Sequence, residues 1–387
     1  MSVRRTLADG LFTLGSTVLA PLRARRRREL LAPDTSPQRI VVLTPVFGIG
    51  NLVLLSGLLA NLRRRYPKAF VALAVPPAEH VRSIIGKDLA DEILPFDPRS
   101  RREALRFAWR ELRPRGFDLG LATFFLPTVF TSGLLLLAGC RHRVAFAADE
   151  RRGLLNTFTC VDAGGHELDR HLQLLAFAGG TIDRSTRVSP SPDALRWTDT
   201  TFRRLHFAGV RRIVGVHPGC ESVNAQKRWP SRSFGNVIRE LVTSGDVGVL
   251  VFLGPGESDL LPSLELPESP RVHAVIGEGL PRVIALVSRC DAFLSNDSGL
   301  MHVAAGLGVP VAAIFGPTPV EKNAPIGRTT ILEEKGLWCR PCWAGPPLSC
   351  HRDRRYCLEG VGVDEVVSAT RALLPASAEG GAQPRAS

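Results

Sequence analysis

This sequence predicts an α/β protein built from two parallel-sheet domains, and three observations carry that prediction. Short, continuously apolar, β-branched runs recur along the chain, as strands buried on both faces require. Helical stretches separate them, the alternation that gives parallel strands joined by right-handed crossovers. The rhythm breaks once, in a proline- and arginine-rich stretch near residue 190, and then restarts. At 387 residues the chain exceeds what one packed core usually absorbs, so two domains also suit its length.

RIVVLT (39–44) reads as the first strand, followed by a glycine-rich turn and a helix from Asn51 to Tyr66 that Pro67 stops. AFVALAV (69–75), EILPF (92–96) and FDLGLAT (117–123) are the next three strands, and HRVAF (142–146) is expected to close the sheet. Residues 189–210 open with Ser189-Pro190-Ser191-Pro192 and read as a linker. The second rhythm comprises RRIVGVH (211–217), a helix over 231–243, VGVLVFLG (247–254), RVHAVI (271–276) and a helix over 281–289. DAFLSN (291–296), a helix over 298–307, VPVAAIFG (309–316) and a terminal helix over 363–374 complete it. The expected division is a basic amphipathic segment 1–36, an N-terminal domain 37–188, the linker, a C-terminal domain 211–376 and a Gly/Ala/Pro tail 377–387 that reads as disordered.

The composition, 44% hydrophobic and 22% charged, is that of a globular chain. No run reaches 18 uninterrupted apolar residues, which argues against a spanning helix. The net charge is +12 and only five of the 49 basic residues are Lys, a balance that suits anionic partners. No aromatic-basic recognition module appears, so nucleic acid is not expected among them. Residues 6–21 are mildly apolar and lie between Arg4-Arg5 and the run Arg23 to Arg28, with Leu7, Leu11, Leu14 and Val18 on one helical stripe. A signal peptide would need a small-residue cleavage site that is missing here. The pattern suits a helix lying in a membrane interface with arginines toward anionic headgroups, a solvated tail being the plain alternative.

Ligands of open parallel sheets sit outside the carboxyl ends of the strands, and in this chain those ends carry glycine and polar residues. Val46-Phe47-Gly48-Ile49-Gly50-Asn51 joins the first strand to its helix, where glycines admit a ligand close to the backbone and a helix N-terminus favours negative charge. In the second half His217-Pro218-Gly219 ends one strand, with Lys227-Arg228-Trp229-Pro230 soon after. Leu253-Gly254-Pro255-Gly256-Glu257 ends the next, Ser295-Asn296-Asp297-Ser298-Gly299-Leu300-Met301-His302 another, and Phe315-Gly316-Pro317-Thr318 the last. Strand ends furnished in this way point to a nucleotide site. A nicotinamide site is disfavoured, because Gly48-Ile49-Gly50 lacks the third glycine and a suitably placed ribose-binding acid.

Taken in order, HPG, KRWP, LGPGE, SNDSGLMHVAAGLGVP and FGPT resemble glycosyltransferase family 9, the lipopolysaccharide heptosyltransferase family; the similarity spans residues 39–375 and is strongest over 213–318. The resemblance implies a GT-B fold, two Rossmann-like domains facing across a cleft. It further implies inverting, metal-independent transfer of a sugar, typically heptose from ADP-heptose, onto a lipid-linked saccharide at the cytoplasmic face of the cytoplasmic membrane, with no cofactor required for catalysis. By the same resemblance Lys227 contacts the donor diphosphate, Asp297 the donor sugar and Glu257 the nucleoside ribose, while Ser298, Gly299 and Leu300 offer helix N-terminal N–H groups to phosphate. Gly48, Gly50, His217, Gly219 and His302 complete the implied substrate-binding set, and position 51 joins Lys227 and Asp297 as catalytic. The plain alternatives are an N-cap for Asp297, a first-turn helix acid for Glu257 and a packed core side chain for His302. Lys227 is expected in an open cleft, where its loss would change fold stability little.

Two departures bear on the acceptor. The family commonly has Gly-Asp where this chain has Gly50-Asn51, and an amide cannot take the acceptor's proton. Glu79, His80 and Asp97 are the other base candidates at strand ends of the first half. The fourth strand runs into Thr123-Phe124-Phe125-Leu126-Pro127, either core or an apolar acceptor pocket. Cys339, Cys342, Cys350 and Cys357 form a separate cluster within 339–357 that suits a structural zinc or an iron–sulfur cluster, or consists of reduced or disulfide-forming thiols. Two further readings stay open: a GT-B enzyme using another donor such as a UDP-sugar, and a catalytically silent nucleotide-binding scaffold in envelope-glycan assembly.

Overall fold

The computed structural model describes residues 36–46, 48–124, 128–147, 155–205, 207, 209–343, 350 and 352–376, together with Pro21, Ala24, Arg25 and Arg27. The amphipathic reading of segment 1–36, the apolar loop 125–127 and the tail 377–387 therefore fall wholly or mostly outside the described residues. Two compact units divide the chain between Ser189 and Pro190.

The N-terminal unit is a parallel sheet of order β3-β2-β1-β4-β5-β6. Its strands are β1 (Arg39–Leu43), β2 (Phe70–Val75), β3 (Glu92–Pro95), β4 (Leu119–Ala122), β5 (His142–Ala147) and β6 (Phe158–Val161). Ile40 to Leu43 are fully buried, as the unbroken apolar run requires when helices cover both faces of a sheet. Helix α1 (Ile49–Arg65) returns the chain from β1 to β2 and starts at Gly48, whose carbonyl accepts the Leu52 N–H at 2.9 Å. Helix α2 (Arg101–Phe107) is capped by the Ser100 hydroxyl and widens into a π turn over Ala108–Leu112. Helix α3 (Thr128–Leu137) follows β4. The sheet does not end at 142–146: β6 pairs with β5, Val144 opposite Phe158 and Ala147 opposite Val161. FTCV is an edge strand of four residues, too short for hydrophobic periodicity to tell from a loop, so pairing reveals it.

The C-terminal unit repeats the same winding as β12-β11-β10-β7-β8-β9. Its strands are β7 (Arg212–His217), β8 (Val247–Leu253), β9 (Val272–Ile276), β10 (Ala292–Asn296), β11 (Val311–Phe315) and β12 (Thr329–Glu333). Helix α4 (Pro192–Leu205) lies where a linker was expected. Its proline-rich start and arginine-rich outer face hide an inner stripe, in which Ala194 and Thr198 are buried and Trp197, Phe202 and Leu205 pack against the core. Helices α5 (Ser231–Val242) and α8 (Val363–Leu373) share one apolar cluster on the sheet, while α6 (Leu280–Val287) and α7 (Gly299–Gly306) belong to the other. No helix among the described residues is long and apolar enough to cross a membrane.

Candidate active site

The strand order of the C-terminal unit reverses between β7 and β10, the point at which such sheets bind ligands. His217 ends β7 opposite Ser295 of β10, so the HPG and SNDSG motifs begin side by side. Asn296 staples them together. Its amide donates to the carbonyls of Pro218 (2.8 Å) and Gly219 (3.2 Å), and its Oδ1 accepts the Trp229 N–H at 2.9 Å. Trp229 is fully buried edge-on to Phe234, and its indole N–H donates to the Val361 carbonyl. The short 3₁₀ run Ser222–Lys227 is thus held at its end by a core anchor, and the lysine preceding that anchor reaches inward.

Lys227 Nζ lies 2.9 Å from Asp297 Oδ2, with the two side chains 13% and 6% exposed. Its ammonium also sits 4.7 Å from the centre of the Trp343 ring. The open setting expected for Lys227 is therefore not what the fold provides: the pair is largely removed from water, and Asp297 is left without a counter-charge at hydrogen-bond distance if the lysine is lost. Nor is Asp297 an N-cap. Ser298 takes that position in α7, and its hydroxyl is turned away from the helix toward His217 Nδ1 (3.0 Å) and the Ser295 hydroxyl (2.9 Å). The first turn of α7, starting with Gly299 and Leu300, accordingly has no side-chain cap, and its N–H groups together with the helix dipole favour an anion. His302 is buried in the same helix.

Glu257 sits behind this end of the sheet. Its Oε2 accepts from His217 Nε2 at 3.1 Å and from the Gly254 N–H at 2.7 Å, and Arg228 stands 3.9 Å from Oε1. Burial pushes this carboxyl up, but His217, the Gly254 N–H and Arg228 outweigh it and hold the group below its ordinary value. His217 bridges Glu257, through Nε2, and the Ser298 hydroxyl, through Nδ1. Glu257 thus spends its hydrogen bonds on the scaffold. Gly219 is needed beside it, because a Cβ there would fall 2.2 Å from Oε1. Cys220 is buried next to the pair, and desolvation pushes its thiol up to about 12, so it is an inert neighbour.

The cysteine segment contacts this site, a connection that motif reading missed. Arg340 donates to the Gly316 carbonyl, the Cys342 and Trp343 N–H groups both donate to Pro317, and Arg355 donates to Ala225 and Arg228. The segment therefore ties the FGPT turn to the run bearing Lys227. Its signal was available only as Arg and Trp residues among the cysteines. Burial raises the Cys357 thiol, Arg340 lowers it, and Cys342, Cys350 and Cys339 raise it, which places all four sulfurs within electrostatic reach of one another. All four are free thiols, yet among the described residues no three His, Cys, Asp or Glu side chains are gathered as a metal-holding group.

In the N-terminal unit Gly48 caps α1, Gly50 is its second residue and Asn51 its third, exposed, in a first turn without an acid. Asp97 is tied to Arg99 at 2.7 Å, and that guanidinium holds its carboxyl at about 2, unsuited to a general base. Glu79 lines a pocket of about 420 Å³ with Val75, Pro76, Ile93 and Pro95. Phe124, at the described start of the fourth-strand loop, is half-buried, edge-on to Phe146 and under the Arg170 guanidinium.

These motifs and this fold are matched in known proteins. The model of glycosyltransferase family 9 (heptosyltransferase) matches residues 105–346. Lipooligosaccharide heptosyltransferase 2 of Haemophilus influenzae is 34% identical over 316 residues, 76% of this chain and 88% of that protein. Lipopolysaccharide heptosyltransferase 2 of Escherichia coli K12 is 27% identical over 312 residues, 74% of this chain and 85% of that one. The solved E. coli ADP-heptose lipopolysaccharide heptosyltransferase II superposes with a TM-score of 0.66 at 20% identity, covering 86% of this chain and 98% of that structure. Two Rossmann-like parallel-sheet domains in one chain form the GT-B fold. The chain belongs to glycosyltransferase family 9, the heptosyltransferase family, and is a glycosyltransferase.

Proposed function

We propose that the enzyme transfers a heptose from ADP-heptose to a lipid-linked saccharide of the cell envelope at the inner face of the cytoplasmic membrane, with inversion and without a catalytic metal. The observation that carries this reading is the uncapped first turn of α7 beside the Lys227–Asp297 pair. An ammonium and a row of helix N–H groups supply the positive potential that a departing diphosphate needs. Asp297 orients the ammonium and faces the donor sugar, Gly299 and Leu300 receive phosphate, and the His217–Glu257 pair holds Ser298 in place. Glu257 reaches a ribose hydroxyl only through the lone pairs its scaffold bonds leave free. Gly48, Gly50 and Asn51 meet the acceptor at the start of α1.

Release of nucleoside diphosphate from a panel of ADP-, GDP- and UDP-sugars, with lipid-linked acceptor and with chelator, tests the reading. ADP-heptose turnover that chelator leaves unchanged is the expected result. Preferential turnover of a UDP-sugar would replace the donor. Nucleotide binding without turnover of any donor would favour the silent scaffold, the reading that the amide at Asn51 supports. The four thiols Cys339, Cys342, Cys350 and Cys357 are a soft donor set suited to structural zinc or an iron–sulfur cluster. Elemental analysis of anaerobically purified protein is expected to find zinc or iron, and folded, reduced protein with neither metal rules this out.

A further inference from the structure

Eight large hydrophobic side chains are exposed among the described residues, and four of them lie on two adjoining helices of the N-terminal unit. They are Leu105 and Trp109, on α2 and its π turn, and Val129 and Leu136, on α3, each between 44% and 52% exposed. Scattered exposed apolar residues are ordinary, whereas a grouping of this kind marks a contact surface. Two interactions bring the helices together: the Arg101 guanidinium lies 5.8 Å from the Phe130 ring centre, and Arg113 donates to the Leu137 carbonyl at 3.1 Å. Both helices bury their other side, Ala104, Ala108 and Leu112 with Leu134 and Leu135, in one core cluster. Leu112 stays buried in that core, and Leu105 and Trp109, four residues apart, are both exposed.

The charges around this patch are mainly basic. Arg102 and Arg106 are exposed on the flank of Leu105 and Trp109, and the Arg113 guanidinium stacks on the Trp109 ring at 4.4 Å. Two acids share this stretch: Glu103, exposed beside Arg102, and Glu111, which pairs with Arg115 at 3.2 Å. Aliphatic side chains, an indole and an excess of arginines with long apolar stems match the boundary between headgroups and acyl chains of an anionic bilayer. An acidic protein would match the arginines but would leave the four apolar side chains without a complement. We propose that the α2–α3 face docks this enzyme on anionic membrane, seating Trp109, Leu105, Val129 and Leu136 at the interface and Arg102, Arg106 and Arg113 against lipid phosphates. The inference rests on the reading of the acceptor as lipid-linked, and it concerns a surface separate from the basic segment 1–36.

The test uses the full chain with vesicles of phosphatidylcholine alone or mixed with phosphatidylglycerol. The unaltered protein is expected to bind only the anionic vesicles. The triple variant L105S/W109S/L136S is expected to bind them at least about tenfold more weakly. All three side chains are exposed, so its thermal unfolding and its turnover with a soluble acceptor serve as controls and are expected to stay unchanged. Vesicles with brominated acyl chains add a positional readout: quenching of tryptophan emission should fall sharply in W109F and persist in W338F, which alters another exposed tryptophan. Undiminished vesicle binding by the triple variant, or undiminished quenching in W109F, overturns the proposal. So does a concentration-dependent dimer that the triple variant abolishes while vesicle binding stays intact, because the face then belongs to self-association. Failure of the unaltered protein to bind any vesicle also overturns it, and turnover with the soluble acceptor then shows whether the transferase reading survives alone.

Discussion

Lys227→Ala tests the centre of the site on two axes at once. The ammonium stands 2.9 Å from Asp297, and both side chains are largely buried. Unit charges at about 4 Å in surroundings of intermediate dielectric attract by about 4 kcal/mol, and desolvation offsets part of that gain. Removing one partner leaves the Asp297 carboxylate nearly buried and without its counter-ion, for which a stability loss of about 3 kcal/mol is expected. Loss of the positive charge facing the leaving diphosphate should cost about 2–4 kcal/mol of transition-state stabilisation, or roughly thirty- to a thousand-fold in kcat/KM. Denaturant unfolding measures the first effect and steady-state release of nucleoside diphosphate the second. The double variant Lys227→Ala/Asp297→Asn should recover part of the stability and none of the turnover, since it removes the stranded charge without restoring the ammonium. Undiminished kcat/KM in Lys227→Ala would refute the leaving-group role, and unchanged stability would refute the buried pair.

Glu257→Gln should flatten acid unfolding: the carboxyl is held below its ordinary value, so its contribution is present above about pH 4.5 and is lost as pH falls through the lower folded value. Urea midpoints measured between neutral and acid pH check this, and parallel curves for the two proteins would count against it. Asn51→Asp places a carboxylate in the first turn of α1 and should raise the transfer rate, by up to the ~100-fold scale of general-base catalysis; an unchanged rate puts the base elsewhere. Trp343→Ala should lower kcat/KM several-fold by freeing the Lys227 ammonium from the ring, a contact worth about 1–2 kcal/mol, and Trp343→Phe should restore most of it. Equal losses in both variants would assign Trp343 to packing alone.

What the sequence determined by itself was local. A continuous β-branched run such as Ile40 to Leu43 can be satisfied only with both faces covered, so the parallel sheets were legible residue by residue, and the alternation with helices ordered them. The motifs were legible for a related reason, since a strand end and the turn after it lie close in sequence. Edge strand β6 and helix α4 were not, because β6 is only four residues long and the proline-rich start and arginines of α4 mask its apolar stripe. Tertiary structure alone decided which motif residues meet. Lys227 and Asp297 are seventy positions apart and His217 and Glu257 forty, and charge type does not disclose whether two such groups pair with each other or wait for a ligand. Tertiary structure also brought the cysteine segment onto the FGPT turn and set the helix bearing Leu105 against the one bearing Leu136. Each of these contacts depends on where the chain returns after a crossover, and that is governed by the packing of whole helices on a sheet.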